Sequence, residues 1–185
     1  MAKTKGNNVV LGVTGSIAAY KACSIVRGLM TKGHTVQVVM TESAQKLVGP
    51  VTFRSLSGRP VVTSLWIPEE EAGLVHVSLA EWADALAIAP ATADIIGKVA
   101  CGLADDALTC TWMACDCPKL IAPAMNDRMW ASPAVQRNVA DLKALPGVHF
   151  VMPVEGRLAS GKVAQGHLAP IEDIIARIDE IARGR

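Results

Sequence analysis

Short apolar runs alternate with stretches of helical periodicity along the whole chain. Val9 to Val13 reads as a first buried strand, ended by Thr14-Gly15-Ser16. Ile17 to Thr31 reads as a helix, with Lys32-Gly33 as its stop. Thr35 to Met40 is a second strand. A helix begins near Ser43, and Pro50 to Leu56 forms another, closed by Ser57-Gly58-Arg59-Pro60. Pro68 to Gly73 reads as an acidic loop around Glu69, Glu70 and Glu71. Ala85 to Ala89 is a third strand, ended by Pro90. Ala93 to Gly102 and Asp105 to Ala114 have helical patterns. Lys119 to Ala122 is a fourth strand, ended by Pro123. Pro133 to Leu145 is helical, Val148 to Met152 is a fifth strand, and Ile171 to Ala182 is an amphipathic closing helix.

Strand–helix alternation with short connections predicts an α/β fold, a parallel sheet covered on both faces. Ligands of such sheets bind beyond the carboxyl ends of the strands. The residues to inspect therefore follow each strand: Thr14-Gly15-Ser16, Met40-Thr41-Glu42-Ser43, Ala89-Pro90-Ala91-Thr92-Ala93 and Pro123-Ala124-Met125-Asn126.

Composition narrows the classes. The 185 residues fit one domain, 1–185, with a candidate lid at about 154–168. Half of them are hydrophobic (51%), too many for a disordered chain, and mean hydropathy is +0.32. No apolar run approaches the roughly 18 residues of a membrane span. A net charge of +1 and 4% aromatic residues argue against a nucleic-acid platform. Met1 to Asn8 is short and polar, unlike a secretory signal. Cys23, Cys101, Cys110, Cys115 and Cys117 form no disulfide framework and no zinc-ligand spacing. The expected setting is cytoplasmic, with no metal.

Gly15 lets the backbone turn tightly and approach a ligand. Ser16 can cap the following helix or contact a phosphate. With only Gly12 and Gly15 the turn is not a GxGxxG pattern, and Met40-Thr41 offers no carboxylate for a ribose. A mononucleotide fits better than NAD. Thr41 and Ser43 can finish a phosphate cradle or cap a helix. The small residues Pro90, Ala91, Thr92 and Ala93 let a flat ring lie against backbone, or simply pack closely. His76, in Val75-His76-Val77-Ser78-Leu79, can move a proton near neutral pH, though a lone histidine is more often structural. His34 and His149, at element joints, read as structural. Asn126 can hold a carboxylate through its N–H donors, and Met125 and Met129 can line an apolar slot. Gly156 to His167 is glycine-punctuated without helical period and suits a lid, or a plain connection.

Taken together, these segments resemble the FMN-dependent cysteine decarboxylases. The matching stretches are Gly15 to Lys21, His76 to Leu79 with Trp82-Ala83-Asp84, Ala89 to Ala93, Gly102 to Asp106, and Pro123-Ala124-Met125-Asn126. The match is strongest to the branch that converts 4'-phosphopantothenoylcysteine to 4'-phosphopantetheine in coenzyme A biosynthesis. The resemblance implies a three-layer Rossmann-like or flavodoxin-like sheet, bound FMN, and a homotrimer or dodecamer whose catalytic histidine is lent across an interface. It also implies roles. Gly15, Ser16 and Ile17 hold the phosphate side, with Thr41 and Ser43 in support. Pro90, Ala91, Thr92 and Ala93 lie along the flavin. His76 is catalytic, Asn126 grips the substrate carboxylate, and Met129 lines the substrate slot. Many relatives carry a second, ligase domain. The sequence ends at Arg185, so phosphopantothenate-cysteine ligase is expected on a separate chain.

The implied chemistry has a physical reason. Direct loss of CO2 from a cysteine carboxylate leaves an unstabilised carbanion. Prior oxidation at the carbon bearing sulfur gives a thioaldehyde that accepts those electrons, so an enethiol forms. In the coenzyme A branch a lid cysteine then serves as acid for the final reduction. Ser160 stands at that place, and His167 replaces the usual lid arginine. A hydroxyl is a much weaker acid than a thiol, so Lys162, His167 or a water becomes the candidate donor. Relatives that act on the C-terminal cysteine of a peptide also lack that cysteine and stop at the enethiol. The glycine spacing of the lid favours the coenzyme A branch. Further alternatives are a flavin prenyltransferase, which the Pro123 to Asn126 segment opposes, and a non-catalytic regulatory subunit, which His76 and Asn126 oppose.

Overall fold

The computed structural model describes residues 7–66, 74–157 and 161–184. Five strands form one parallel sheet: β1 (Asn8–Val13), β2 (Thr35–Met40), β3 (Ala85–Ala91), β4 (Lys119–Pro123) and β5 (Val148–Phe150), in the order β2-β1-β3-β4-β5. This is the flavodoxin-like order. Val9, Leu11 and Val13 point to one face, where they pack with α1 (Ala22–Thr31), α3 (Pro50–Ser57) and α9 (Ile171–Ala182). Val10 points to the other. There Leu86, Ile88 and Ile121 meet α4 (Val75–Trp82), α5 (Ala93–Ala100), α6 (Ala107–Ala114) and α8 (Pro133–Lys143). Strands buried on both faces explain the continuous apolar runs. Gly12 marks the closest approach of α6: a Cβ there would lie 2.5 Å from Leu108 Cδ1.

The closing helix is fastened by one carboxylate. Asp179 accepts from Lys32 at 3.1 Å, contacts His34 Nε2 at 2.8 Å and pairs with Arg183, while His34 Nδ1 accepts the Asn7 N–H at 3.2 Å. His34 is thus structural, as expected. His149 Nδ1 meets the Arg177 guanidinium at 2.8 Å, which is also a packing role.

Several expectations need correction. β3 does not end before Pro90. It continues through a cis Ala89–Pro90 peptide to Ala91, which pairs with Pro123 after a register shift. The helix expected from Ile17 splits into a 3-10 turn, Ile17–Lys21, and α1. Val75–Trp82 is a helix that the pattern does not announce, because its apolar residues are spread around it. The expected lid is a two-stranded antiparallel hairpin, β6 (Val154–Arg157) with β7 (Val163–His167), rather than an unstructured loop. The acidic Pro68 to Gly73 segment lies outside the described residues. No helix among them is long and apolar enough to cross a membrane.

Candidate functional site

The sheet order reverses between β1 and β3, so the chain leaves these neighbours in opposite directions and opens a crevice beyond their ends. Thr14, fully buried, braces that crevice. Its hydroxyl donates to the Pro90 carbonyl at 2.7 Å and accepts the Thr92 N–H at 3.1 Å. Next to it Gly15 passes so close to α2 (Glu42–Gln45) that a Cβ would sit 2.5 Å from Ser43 Cβ. Ser16 caps the 3-10 turn, accepting the Ala18 N–H at 3.3 Å. Thr41 caps α2 and Thr92 caps α5 in the same manner. Each hydroxyl keeps its hydrogen to donate to a ligand.

Two cavities flank this spine. The first, about 700 Å³, is lined by the Gly15–Ala18 turn, Asn126, Met129 and the β6–β7 hairpin. The second, about 690 Å³, is lined by Thr41, Ser43, the Thr63–Trp66 segment and Asp105-Asp106. Both touch Gly15, Thr92 and Met129. Their charges differ. Among the described residues the first carries Lys21, Arg157 and His167 and no carboxylate, whereas the second carries Glu42, Asp94, Asp105 and Asp106 against Lys98 alone. Lys98 meets Asp105 at 3.0 Å, and this hydrogen bond holds the Asp105 carboxyl below its ordinary range. A phosphate is therefore favoured on the side of the first cavity.

Asn126 opens the four-residue helix α7 (Asp127–Trp130). Its Oδ1 accepts the Arg128 N–H at 2.9 Å, which fixes the carboxamide and leaves the Nδ2 hydrogens as donors. The preceding Met125 N–H donates to the Gly166 carbonyl at 3.0 Å, tying the hairpin to this segment. Gly166 is required there. Its φ is +130°, and a Cβ would lie 2.4 Å from Met125 O. Lys162 pairs with Asp127 at the hairpin's outer end and lowers that carboxyl's pKa. Inside the cavity, Lys21 Nζ lies 3.1 Å from His167 Nε2.

The structure thus brings Gly15, Ser16, Ile17, Thr92, Asn126 and Met129 to one cavity, and Thr41 and Ser43 to its neighbour. Pro90 and Ala91 are buried within β3, and Ala93 opens α5; none of the three lines either cavity. His76, on α4, also lines neither. Ser160 lies outside the described residues. Reading along the sequence placed Thr14 in the turn to inspect but gave it no role, because its two partners lie 76 and 78 residues away, and it missed the Lys21–His167 pair, whose members are 146 residues apart.

The residues fit the expected mononucleotide. Gly15 presents bare backbone where any side chain would collide with Ser43, the capping hydroxyls keep their hydrogens, and the first cavity is cationic. A family model described as Flavoprotein matches residues 2–183. The coenzyme A biosynthesis bifunctional protein CoaBC of Bacillus subtilis is 46% identical over 168 residues, 91% of this chain and 41% of that protein. Its counterpart from Mycolicibacterium smegmatis is 46% identical over 166 residues, 90% of this chain and 39% of that one. The chain spans about two fifths of the length of these curated relatives. The FMN-dependent cysteine decarboxylase SpaF has a TM-score of 0.83 and 35% identity, covering 98% of this chain and 99% of that one. A PPC decarboxylase mutant complexed with pantothenoylaminoethenethiol has a TM-score of 0.83 and 31% identity, with 94% and 97% covered.

Proposed function

The chain belongs to the flavoprotein family, and we propose that within it the protein is an FMN-dependent carboxy-lyase. Its substrate is 4'-phosphopantothenoylcysteine and its product 4'-phosphopantetheine, a step of coenzyme A biosynthesis. One observation carries this reading. A single cavity joins the glycine-serine turn to Asn126, whose Oδ1 is already engaged and whose Nδ2 donors remain for a carboxylate. The identity to the CoaBC proteins supports the substrate.

When bound, FMN supplies the two-electron acceptor for the carbon bearing sulfur. The chain's own residues position and protonate. Gly15, Ser16 and Ile17 hold the phosphate side, with Thr41 and Ser43 beyond them. Thr92 lies beside the ring, and the small residues Pro90, Ala91 and Ala93, which line neither cavity, shape the backbone behind it. Asn126 donates to the substrate carboxylate, and Met129, about half exposed, forms an apolar wall. The β6–β7 hairpin covers the slot and excludes water. His76 acts as the proton-transfer group from a neighbouring copy in a homotrimer or dodecamer. Its position away from both cavities of its own chain supports this. The five free cysteines suit a reducing, cytoplasmic setting.

The purified protein should be yellow and should release FMN on denaturation. With phosphopantothenoylcysteine it should evolve CO2 and give phosphopantetheine by mass. A protein that cannot be reconstituted with FMN, or that leaves this substrate intact, refutes the proposal. A second reading, oxidative decarboxylation of a peptide's C-terminal cysteine, is favoured by Ser160 at the lid position and by the likeness to SpaF. An enethiol formed from such a peptide identifies it.

A further inference from the structure

We propose that His167 and Lys21 form the proton-donating pair for the carbon that loses CO2, an assignment that rests on the decarboxylase reading above. Lys21 closes the turn after β1, His167 ends β7, and Nζ meets Nε2 at 3.1 Å inside the first cavity. An ammonium has hydrogens but no lone pair. Nε2 is therefore the acceptor, and the ring hydrogen sits on Nδ1. The ring is held beside the carboxylate grip. Met125 N–H donates to the Gly166 carbonyl, so Asn126 and His167 each directly follow one member of a bonded pair. On the other side the ring packs onto Gly156, where a Cβ would lie 2.8 Å from His167 Cγ.

Within the chain's own cavity, which His76 does not line, the other acidic donors fall away. Among the described residues the cavity lining holds no aspartate, glutamate or cysteine. Lys162 is paired with Asp127 and does not line it. The Arg157 guanidinium does not give up its proton. Tyr20 is 61% exposed, so its phenol is open to water.

The step is a proton transfer and balances without a redox partner. Breaking the bond to the carboxylate leaves its electron pair on the former α-carbon, shared with the adjacent thiocarbonyl as an enethiolate. The His167 Nδ1–H bond breaks and its hydrogen forms the new C–H bond. Nε2 takes a proton from the Lys21 ammonium, and water reprotonates Lys21. Protonation there gives a thioaldehyde. A saturated thiol needs that C–H bond and, beyond it, the two electrons that bound flavin, reduced in the first half of the reaction, would return, whereas the enethiol needs neither. The pair therefore decides which product leaves.

The test uses the full-chain holoenzyme with phosphopantothenoylcysteine and reads the products by mass. Wild type should give phosphopantetheine. His167→Gln and Lys21→Met should each lower the ratio of saturated to unsaturated product at least tenfold, since a positioned acid is typically worth about 10²–10⁴-fold. Independently of turnover and of how the variants fold, 15N NMR of the wild-type holoenzyme should find His167 as the Nδ1–H tautomer. An unchanged product ratio in both variants, or the Nε2–H tautomer, overturns the assignment. Wild-type enzyme that yields only enethiol overturns it and leaves the decarboxylase reading in place. Failure to release CO2 at all overturns both.

Discussion

Thr14 and Thr92 are joined across the switch point of the sheet: the Thr14 hydroxyl accepts the Thr92 N–H at 3.1 Å and donates to the Pro90 carbonyl at 2.7 Å. One buried oxygen thus sets the separation of the β1 and β3 ends, and with it the crevice. Thr14→Val keeps the shape but leaves a donor and an acceptor unpaired. Urea unfolding should show a loss of about 1–3 kcal/mol, and Thr14→Ser should recover most of it. A Val variant as stable as wild type would show that the brace contributes nothing.

Gly15 concerns space rather than hydrogen bonds. Gly15→Ala would push a methyl to 2.5 Å from Ser43 Cβ and force the turn away from α2. FMN affinity, measured by quenching of flavin fluorescence on the apoprotein, should fall at least about tenfold, equivalent to 1.4 kcal/mol. Removing the opposing atom should restore it, so the double variant with Ser43→Gly should bind FMN more tightly than Gly15→Ala alone. Equal affinity of wild type and Gly15→Ala would remove the cradle from that turn.

Asn126 caps α7 with its Oδ1 and offers its Nδ2 to the cavity. Asn126→Asp preserves the cap, since aspartate is an equally good capping residue, but turns the donor into a negative charge facing the substrate carboxylate. The variant should melt within a few degrees of wild type and stay yellow. Its kcat/KM should fall by at least about 10²-fold, the usual cost of losing one stabilising donor. Activity within a few-fold of wild type would reassign the carboxylate grip.

These residues were open to sequence reading to different degrees. Gly15, Thr92 and Asn126 were legible because parallel strands place ligands beyond their carboxyl ends, and each residue directly follows a strong apolar run. The sheet itself was legible for the same reason: Val9 to Val13 and Ala85 to Ala89 carry no polar alternation. Pro90 misled, since a proline that normally stops a strand is carried inside β3 through a cis peptide. The hairpin was hidden because Val154–Arg157 and Val163–His167 are mostly exposed and lack alternation. Lys21 and His167 meet only through the fold, so no spacing along the chain announces them.

Acid should unfasten the last helix. Burial opposes ionisation of Asp179, but hydrogen bonds from Arg183, His34 and Lys32 outweigh it and carry the carboxyl well below its usual range. A depressed carboxylate contributes stability that is present above its unfolded-state pKa, about 3.9, and lost as pH falls through the lower folded value. Unfolding midpoints in urea should therefore be steady from pH 7 to 5 and decline below about 4. In Asp179→Asn the midpoint should be lower at pH 7, with a shallower decline in acid. An identical acid slope in the two proteins would exclude this carboxylate as the cause.

His76 and Asn126 should complement one another between chains. His76 lines neither cavity of its own chain, so the site is completed by a second copy if His76 is catalytic. His76→Asn alone should keep FMN and lose turnover, because the residue touches neither the glycine turn nor the capping hydroxyls. Mix His76→Asn with Asn126→Asp after dissociating and reassociating both. Some interfaces in the mixed oligomer then pair an intact His76 from one chain with an intact Asn126 from another. Activity should return to a substantial fraction of wild type although each parent is inactive. Subunit exchange confirmed by native mass spectrometry with no recovered activity would place His76 and Asn126 in the same chain's site, or remove His76 from the chemistry.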